Sequence, residues 1–170
     1  QPKERYRQMK HFTKIDSIET LKKQYKTLCK KFHPDLNHDT DTTDIMKEIN
    51  LEYEELFNKY KNIHKTAEGE TYTTKESTKE NSEDFINIIN SIINFNLDIE
   101  IIGTWVWCFN SYEYREQLKA LGFKYVAKRK AWAWHSGEYR ARRSKKTLAE
   151  IRNTYGSETI KSKEETKEIA

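Results

Sequence analysis

The stretch SIETLKKQYKTLCKKFHPD, residues 17–35, decides how the chain is read. Ile18, Leu21, Tyr25, Leu28 and Phe32 recur at steps of three and four, which places them on one face of a helix. Lys22, Lys23, Lys26, Lys30 and Lys31 fall mostly on the other faces. Asp16 or Ser17 supplies an N-cap, and Glu19 puts a carboxylate in the first turn, where the helix dipole favours one. Pro34 cannot continue the helix and biases His33 away from helical geometry, so the helix should stop near Phe32.

Downstream, Leu36 to Thr43 is polar and reads as a loop. From about Asp44 the residues Ile45, Ile49, Tyr53, Leu56 and Tyr60 repeat the helical spacing. Two amphipathic helices joined by a short loop form an antiparallel hairpin. Upstream, Tyr6, Met9, Phe12 and Ile15 suggest a short leading helix or turn that closes the hairpin's open side. These elements define an N-terminal unit over residues 1–62.

Residues 63–83 hold little to bury, since Thr, Lys, Glu and Ser dominate and Tyr72 is the one large apolar side chain from His64 to Glu83; this reads as a polar linker. A small module then spans residues 84–156. Asp84 to Leu97 is helical, with Phe85, Ile88, Ile89, Ile92, Ile93 and Phe95 too densely apolar to stand exposed. Ile99 to Phe109 alternates as a strand. Ser111 caps a helix carrying Tyr114, Leu118 and Leu121, with Gly122 as its C′ residue. Phe123–Val126 and Ala131–Trp134 flank the basic turn Lys128-Arg129-Lys130 as a β-hairpin, and a last helix runs from Thr147 to Tyr155. Residues 157–170 read as a mobile polar tail. The expected class is α+β: a helical hairpin plus a small C-terminal module with a short, aromatic-rich antiparallel sheet.

Composition narrows the function. In 170 residues, hydrophobic types make up 35% and charged types 34%, a thin supply for one large core. Cys29 and Cys108 are far apart and lack the spacing of a zinc pair or a disulfide framework, so a reducing, cytoplasmic setting is expected. No apolar run approaches the roughly 18–20 residues of a membrane span. His135 and Cys108 lack the third group that a metal site or Cys-His catalyst needs, and no constellation supports an enzyme, a metal or a cofactor.

His33-Pro34-Asp35, between a basic amphipathic helix and a second helix reading Ile49-Asn50-x-x-Tyr53-x-x-Leu56, resembles the J domain of the DnaJ family. The similarity runs from about Phe12 to Tyr60 and rests on Leu21-Lys22-Lys23-x-Tyr25-Lys26-x-Leu28 as much as on the tripeptide. It implies docking on a DnaK-type chaperone and stimulation of its ATP hydrolysis. Carried over, the contacting loop is His33, Pro34 and Asp35, and Lys22, Lys23, Lys26 and Lys30 form a steering surface acting through charge complementarity. Without the motif, those lysines would be an ordinary solvated helix face. The usual Asp-Tyr-Tyr opening, a fourth helix, and the Gly/Phe-rich and Cys-rich regions of full-length DnaJ have no counterpart here.

The C-terminal module carries the targeting information on this reading. Between Ile101 and Gly156, twelve Lys/Arg stand against four Glu, and all four tryptophans, Trp105, Trp107, Trp132 and Trp134, fall there. Cations among aromatics suit single-stranded nucleic acid, whose phosphates need neutralising and whose bases stack. Lys128, Arg129, Lys130, Arg140, Arg142 and Arg143 are the expected contacts. The competing reading makes the rings the core of a small module. Gly122-Phe123-Lys124-Tyr125 with Lys130-Ala131-Trp132-Ala133-Trp134 resembles a module found beside J domains in proteins of bacterial mobile elements. The alternative function is therefore a nucleic-acid-binding protein of a mobile element or phage, its hairpin an inherited scaffold.

Overall fold

The computed structural model describes residues 9–75, 80–136, 147–155 and 157–160. The fold is α+β. Helix α1 (Ile18–Phe32) and helix α2 (Thr43–Tyr60) form the antiparallel hairpin, followed by strands β1 (Ile63–Lys65) and β2 (Thr71–Thr73) and helix α3 (Ser82–Ile92). Strands β3 (Asp98–Ile102) and β4 (Trp105–Phe109), helix α4 (Arg115–Ala120), strands β5 (Lys124–Val126) and β6 (Ala131–Trp134), helix α5 (Leu148–Tyr155) and strand β7 (Ser157–Ile160) complete the order. Five strands make one antiparallel sheet, β5-β6-β4-β3-β7. No helix among the described residues is long and apolar enough to cross a membrane.

Helix α1 starts where the sequence indicates, with the Ser17 hydroxyl accepting from the Thr20 amide, and ends at His33. Its buried face is turned from the expected one. Ile18, Leu21, Tyr25 and Cys29 are fully buried, and so are Lys22 and Lys26, whereas Leu28 and Phe32 are half-exposed. At about 100° per residue, Lys22, Lys26 and Cys29 flank one side of Tyr25 and Leu28 the other. The buried arc widened toward the lysines because α1 meets α2 on one side and α3 and β3 on the other, which a two-helix reading does not anticipate.

The larger of two buried clusters joins the helices to one face of the sheet, and the smaller, around Ile102, Trp107, Ala131 and Ala133, lies apart from it. Tyr25 packs 4.6 Å from Tyr53 and 5.8 Å from Phe85, ring centroid to centroid. Its hydroxyl donates to Asn50 Oδ1 (2.7 Å) and accepts from Asn90 Nδ2 (2.9 Å), tying α1, α2 and α3 at one atom. Phe85, Ile89, Ile92 and Ile93 extend that core to Ile99, Ile101, Val106 and Cys108 on the sheet's inner face. Each such side chain contributes roughly 1.5–3 kcal/mol on burial. Among the described residues the helical hairpin and the C-terminal module therefore share a core.

Of the stretch read as a linker, residues 63–75 depart from that expectation. β1 and β2 form a small hairpin whose His64 ring stacks on Tyr72, and Glu19 on α1 holds it through His64 Nδ1 (2.7 Å) and the Lys65 amide (3.0 Å). The stretch read as one strand, Ile99–Phe109, is two strands joined at Gly103-Thr104. Gly103 takes φ +60° at the first turn position, as a type II′ hairpin requires. Residues 9–16 contain no helix. Phe12 is buried, and the backbone amides of Lys10 and His11 donate to the two oxygens of buried Glu52; Tyr6 lies outside the described residues. β7 adds Ser157–Ile160 to the sheet, where a mobile tail was expected.

A shared core predicts shared unfolding. Phe85→Ala should cost about 3–5 kcal/mol, and tryptophan fluorescence, which reports only the sheet, should follow helical circular dichroism through the same denaturant midpoint. Two separated midpoints in the wild-type chain would refute the shared core.

Candidate functional site

At the end of α1 the chain turns through a short 3-10 segment, Pro34–Leu36, with Pro34 at its first position, where the missing N–H costs nothing. His33 caps both elements: its amide donates to Cys29 O (2.8 Å), and its Nδ1 accepts from the Asp35 amide (3.2 Å). Asn37 clamps the turn from below, its Nδ2 donating to the carbonyls of Lys31 and His33, each at 2.9 Å. The His33 side chain is only 12% exposed, whereas that of Asp35 is 59% exposed. The two residues thus differ in role: His33 shapes the turn from within, and Asp35 is the presented carboxylate.

The lysines divide in the same way. Lys23 and Lys30 are half-exposed and Lys31 is exposed, along the flank of α1 leading to the turn. Lys22 and Lys26 are withdrawn from that surface in this form. Lys26 Nζ donates to Ile99 O (3.1 Å), and Lys22 Nζ donates to Glu80 Oε2 (2.5 Å) and Thr104 O (3.5 Å) and sits 4.8 Å from the centre of the Phe85 ring. An ammonium group enters an apolar core only with such partners.

Sequence reasoning missed Glu80 altogether. It is nearly as buried as Lys22, and its second oxygen meets His135 Nε2 at 2.9 Å, which in turn lies 2.8 Å from Thr104 Oγ1. Burial alone would push its carboxyl up, but Lys22 and His135 outweigh that and hold it at about 2. Nothing local marks Glu80, since the signal is a pairing across 58 residues. His135 is engaged here, with its ring against Trp105, and has no link to Cys108. Both thiols are buried, and burial pushes Cys29 up to about 12 and Cys108 higher still, which disfavours the thiolate at each. Among the described residues no group of three or more His, Cys, Asp or Glu is arranged to hold a metal ion.

On the sheet, Lys128, Arg129 and Lys130 form the β5–β6 tip, with Lys130 in the left-handed region at φ +51°. Lys128 and Lys130 are exposed, whereas Arg129 lies over Trp107, 5.3 Å from its ring centre. Trp107 is 5% exposed and the other three tryptophans are half-buried, so the rings serve mainly as core. The exposed ring is Tyr125, 53% accessible on edge strand β5 and 5.3 Å from Trp132. Arg140, Arg142 and Arg143 lie outside the described residues. No protein-family model, curated protein or solved structure matches this chain.

The Lys22–Glu80 pair sets an acid limit on stability. Because Glu80 is held below its ordinary value of 4.5, its contribution is complete above pH 4.5 and is lost as pH falls toward 2. Glu80→Gln should cost about 3 kcal/mol at pH 7, and the gap to wild type should narrow through that window in chemical denaturation. A gap independent of pH would show that Glu80 acts by packing alone.

Proposed function

We propose that this chain is a co-chaperone adaptor that docks on a DnaK-type chaperone in the cytoplasm and stimulates its ATP hydrolysis. The observation that supports this best is the turn after α1. A proline-fixed, twice-clamped loop offers one carboxylate, Asp35, beside a helix flank carrying Lys23, Lys30 and Lys31. Such a surface has fixed charge geometry and no reacting group, which suits recognition and not catalysis. The J-domain resemblance of residues 12–60 gives that recognition its partner. The full chain should accelerate single-turnover ATP hydrolysis by such a chaperone, and Asp35→Asn should return the rate to baseline with helicity unchanged. His33→Gln should also abolish the effect, by freeing the Asp35 amide and loosening the turn. Undiminished stimulation by the Asp35→Asn chain would remove the assignment.

A second reading, binding of single-stranded nucleic acid, is favoured by the β5 edge, where Lys124, Lys128 and Lys130 are exposed around Tyr125. It would supply the targeting half of an adaptor. Here the stacking partner is a tyrosine backed by Trp132. Affinity should fall with salt by a logarithmic slope of about −0.7 per phosphate contacted. Replacing Lys124, Lys128 and Lys130 with Gln should flatten that slope, and Tyr125→Ala should weaken binding without changing it. Absence of binding at low salt would redirect the search to protein partners of this edge.

A further inference from the structure

Resting on the docking assignment above, we infer that the chain holds its own docking face closed, with Lys22 and Lys26 sequestered beneath β3 and Glu80 standing in for the partner's acidic surface. Both ammonium groups are fully buried, and each is matched by an acceptor from the sheet or the segment leading into α3: Ile99 O for Lys26, Thr104 O and the Glu80 carboxylate for Lys22. Asp35, Lys23 and Lys31, by contrast, reach solvent in this same form. The closed chain therefore offers half of its charged face. A partner that requires the other half binds only a form in which β3 and Glu80 have lifted from α1, and its apparent affinity is scaled down by the fraction of chain in that form.

Glu80 is the element that sets this fraction. Removing its carboxylate leaves Lys22 buried with no counter-charge, a cost confined to the closed form, since the open form hydrates Lys22. His135 holds Glu80 from the far side, with Nε2 at 2.9 Å, without touching Lys22. His135→Ala is thus a milder release that leaves the proposed docking residues intact.

The test uses the full chain in two measurements. Acylation of lysines by N-hydroxysuccinimidyl acetate, read by mass spectrometry, should modify Lys22 and Lys26 at least about tenfold more slowly than Lys23 in the wild-type chain, as expected for groups reached only through a minor open state. Glu80→Ala should largely erase that difference, and His135→Ala should reduce it. In single-turnover hydrolysis by a DnaK-type chaperone, the concentration of chain needed for half-maximal stimulation should fall about fivefold or more for Glu80→Ala, in proportion to the gain in open form. Adding Asp35→Asn should abolish the stimulation. Wild-type Lys22 reacting as fast as Lys23 overturns the inference outright. If Glu80→Ala exposes Lys22 yet stimulates no better than wild type, with Asp35→Asn still abolishing the effect, masking is refuted and docking stands. If no chain stimulates even with Lys22 exposed, the docking assignment fails and the inference falls with it.

Discussion

A lysine ammonium has no place in an apolar core unless a carboxylate enters with it. Burial of Lys22 therefore dictates where residue 80 must lie, and with it where α3 begins. Asn81, the next residue, caps α3 by accepting from the Asp84 amide at 2.8 Å, so the helix axis is launched from the position that the ion pair fixes. α3 then carries Phe85 against both the Tyr25 and Tyr53 rings, which touch each other, and brings the sheet behind it. Thr104 and His135, from the β3–β4 turn and the end of β6, close on the same charge cluster. Helices and sheet are thus positioned against each other by one electrostatic requirement, while the apolar contacts around it supply most of the free energy.

The same device recurs at the periphery. Glu52 receives two backbone amides from the N-terminal segment, Glu19 holds the β1–β2 hairpin, and Glu100 grips the Arg152 guanidinium with two hydrogen bonds at 2.6 and 2.7 Å. In each case a nearly inaccessible carboxylate on a regular element anchors a segment distant in sequence. For a chain with a third of its residues charged, this is a workable route to a packed structure. Bidentate pairing satisfies both oxygens and fixes the angle of approach as well as the distance.

The elements with strong local signals were legible. Ser17 and Pro34 bound α1 as capping and proline stereochemistry require, and Ile49, Tyr53 and Leu56 of α2, the C′ glycine after α4 and the hairpin around Lys128–Lys130 lie where the residues indicate, although Met46 and Phe57 are buried in α2 where Ile45 and Tyr60 are only half-buried. What was not legible depended on partners distant in sequence. Leu28 and Lys22 are both acceptable at a helix boundary, and only the third and fourth surfaces around α1 decide that Lys22 goes inside. Gly103-Thr104 lacked an Asn-Gly signature, so a continuous alternating run concealed a hairpin. The candidate loop itself was visible from His33-Pro34-Asp35, but the division of labour within it was not, because which side chain faces inward is set by the Asn37 clamp and the 3-10 turn.

Among the described residues strand β5 is an edge of the sheet, and an unpaired edge is a template for another copy of the chain. Its three residues are followed at once by a 3-10 turn and a left-handed lysine, so few backbone groups are left in line for a new strand. Lys124 stands on the edge and Lys128 and Lys130 just past it, so two such edges approaching one another would bring like charges together. The cations that mark this edge as a candidate binding surface also give it resistance to self-association, and neutralising them would make the sheet more prone to grow by addition of its own kind.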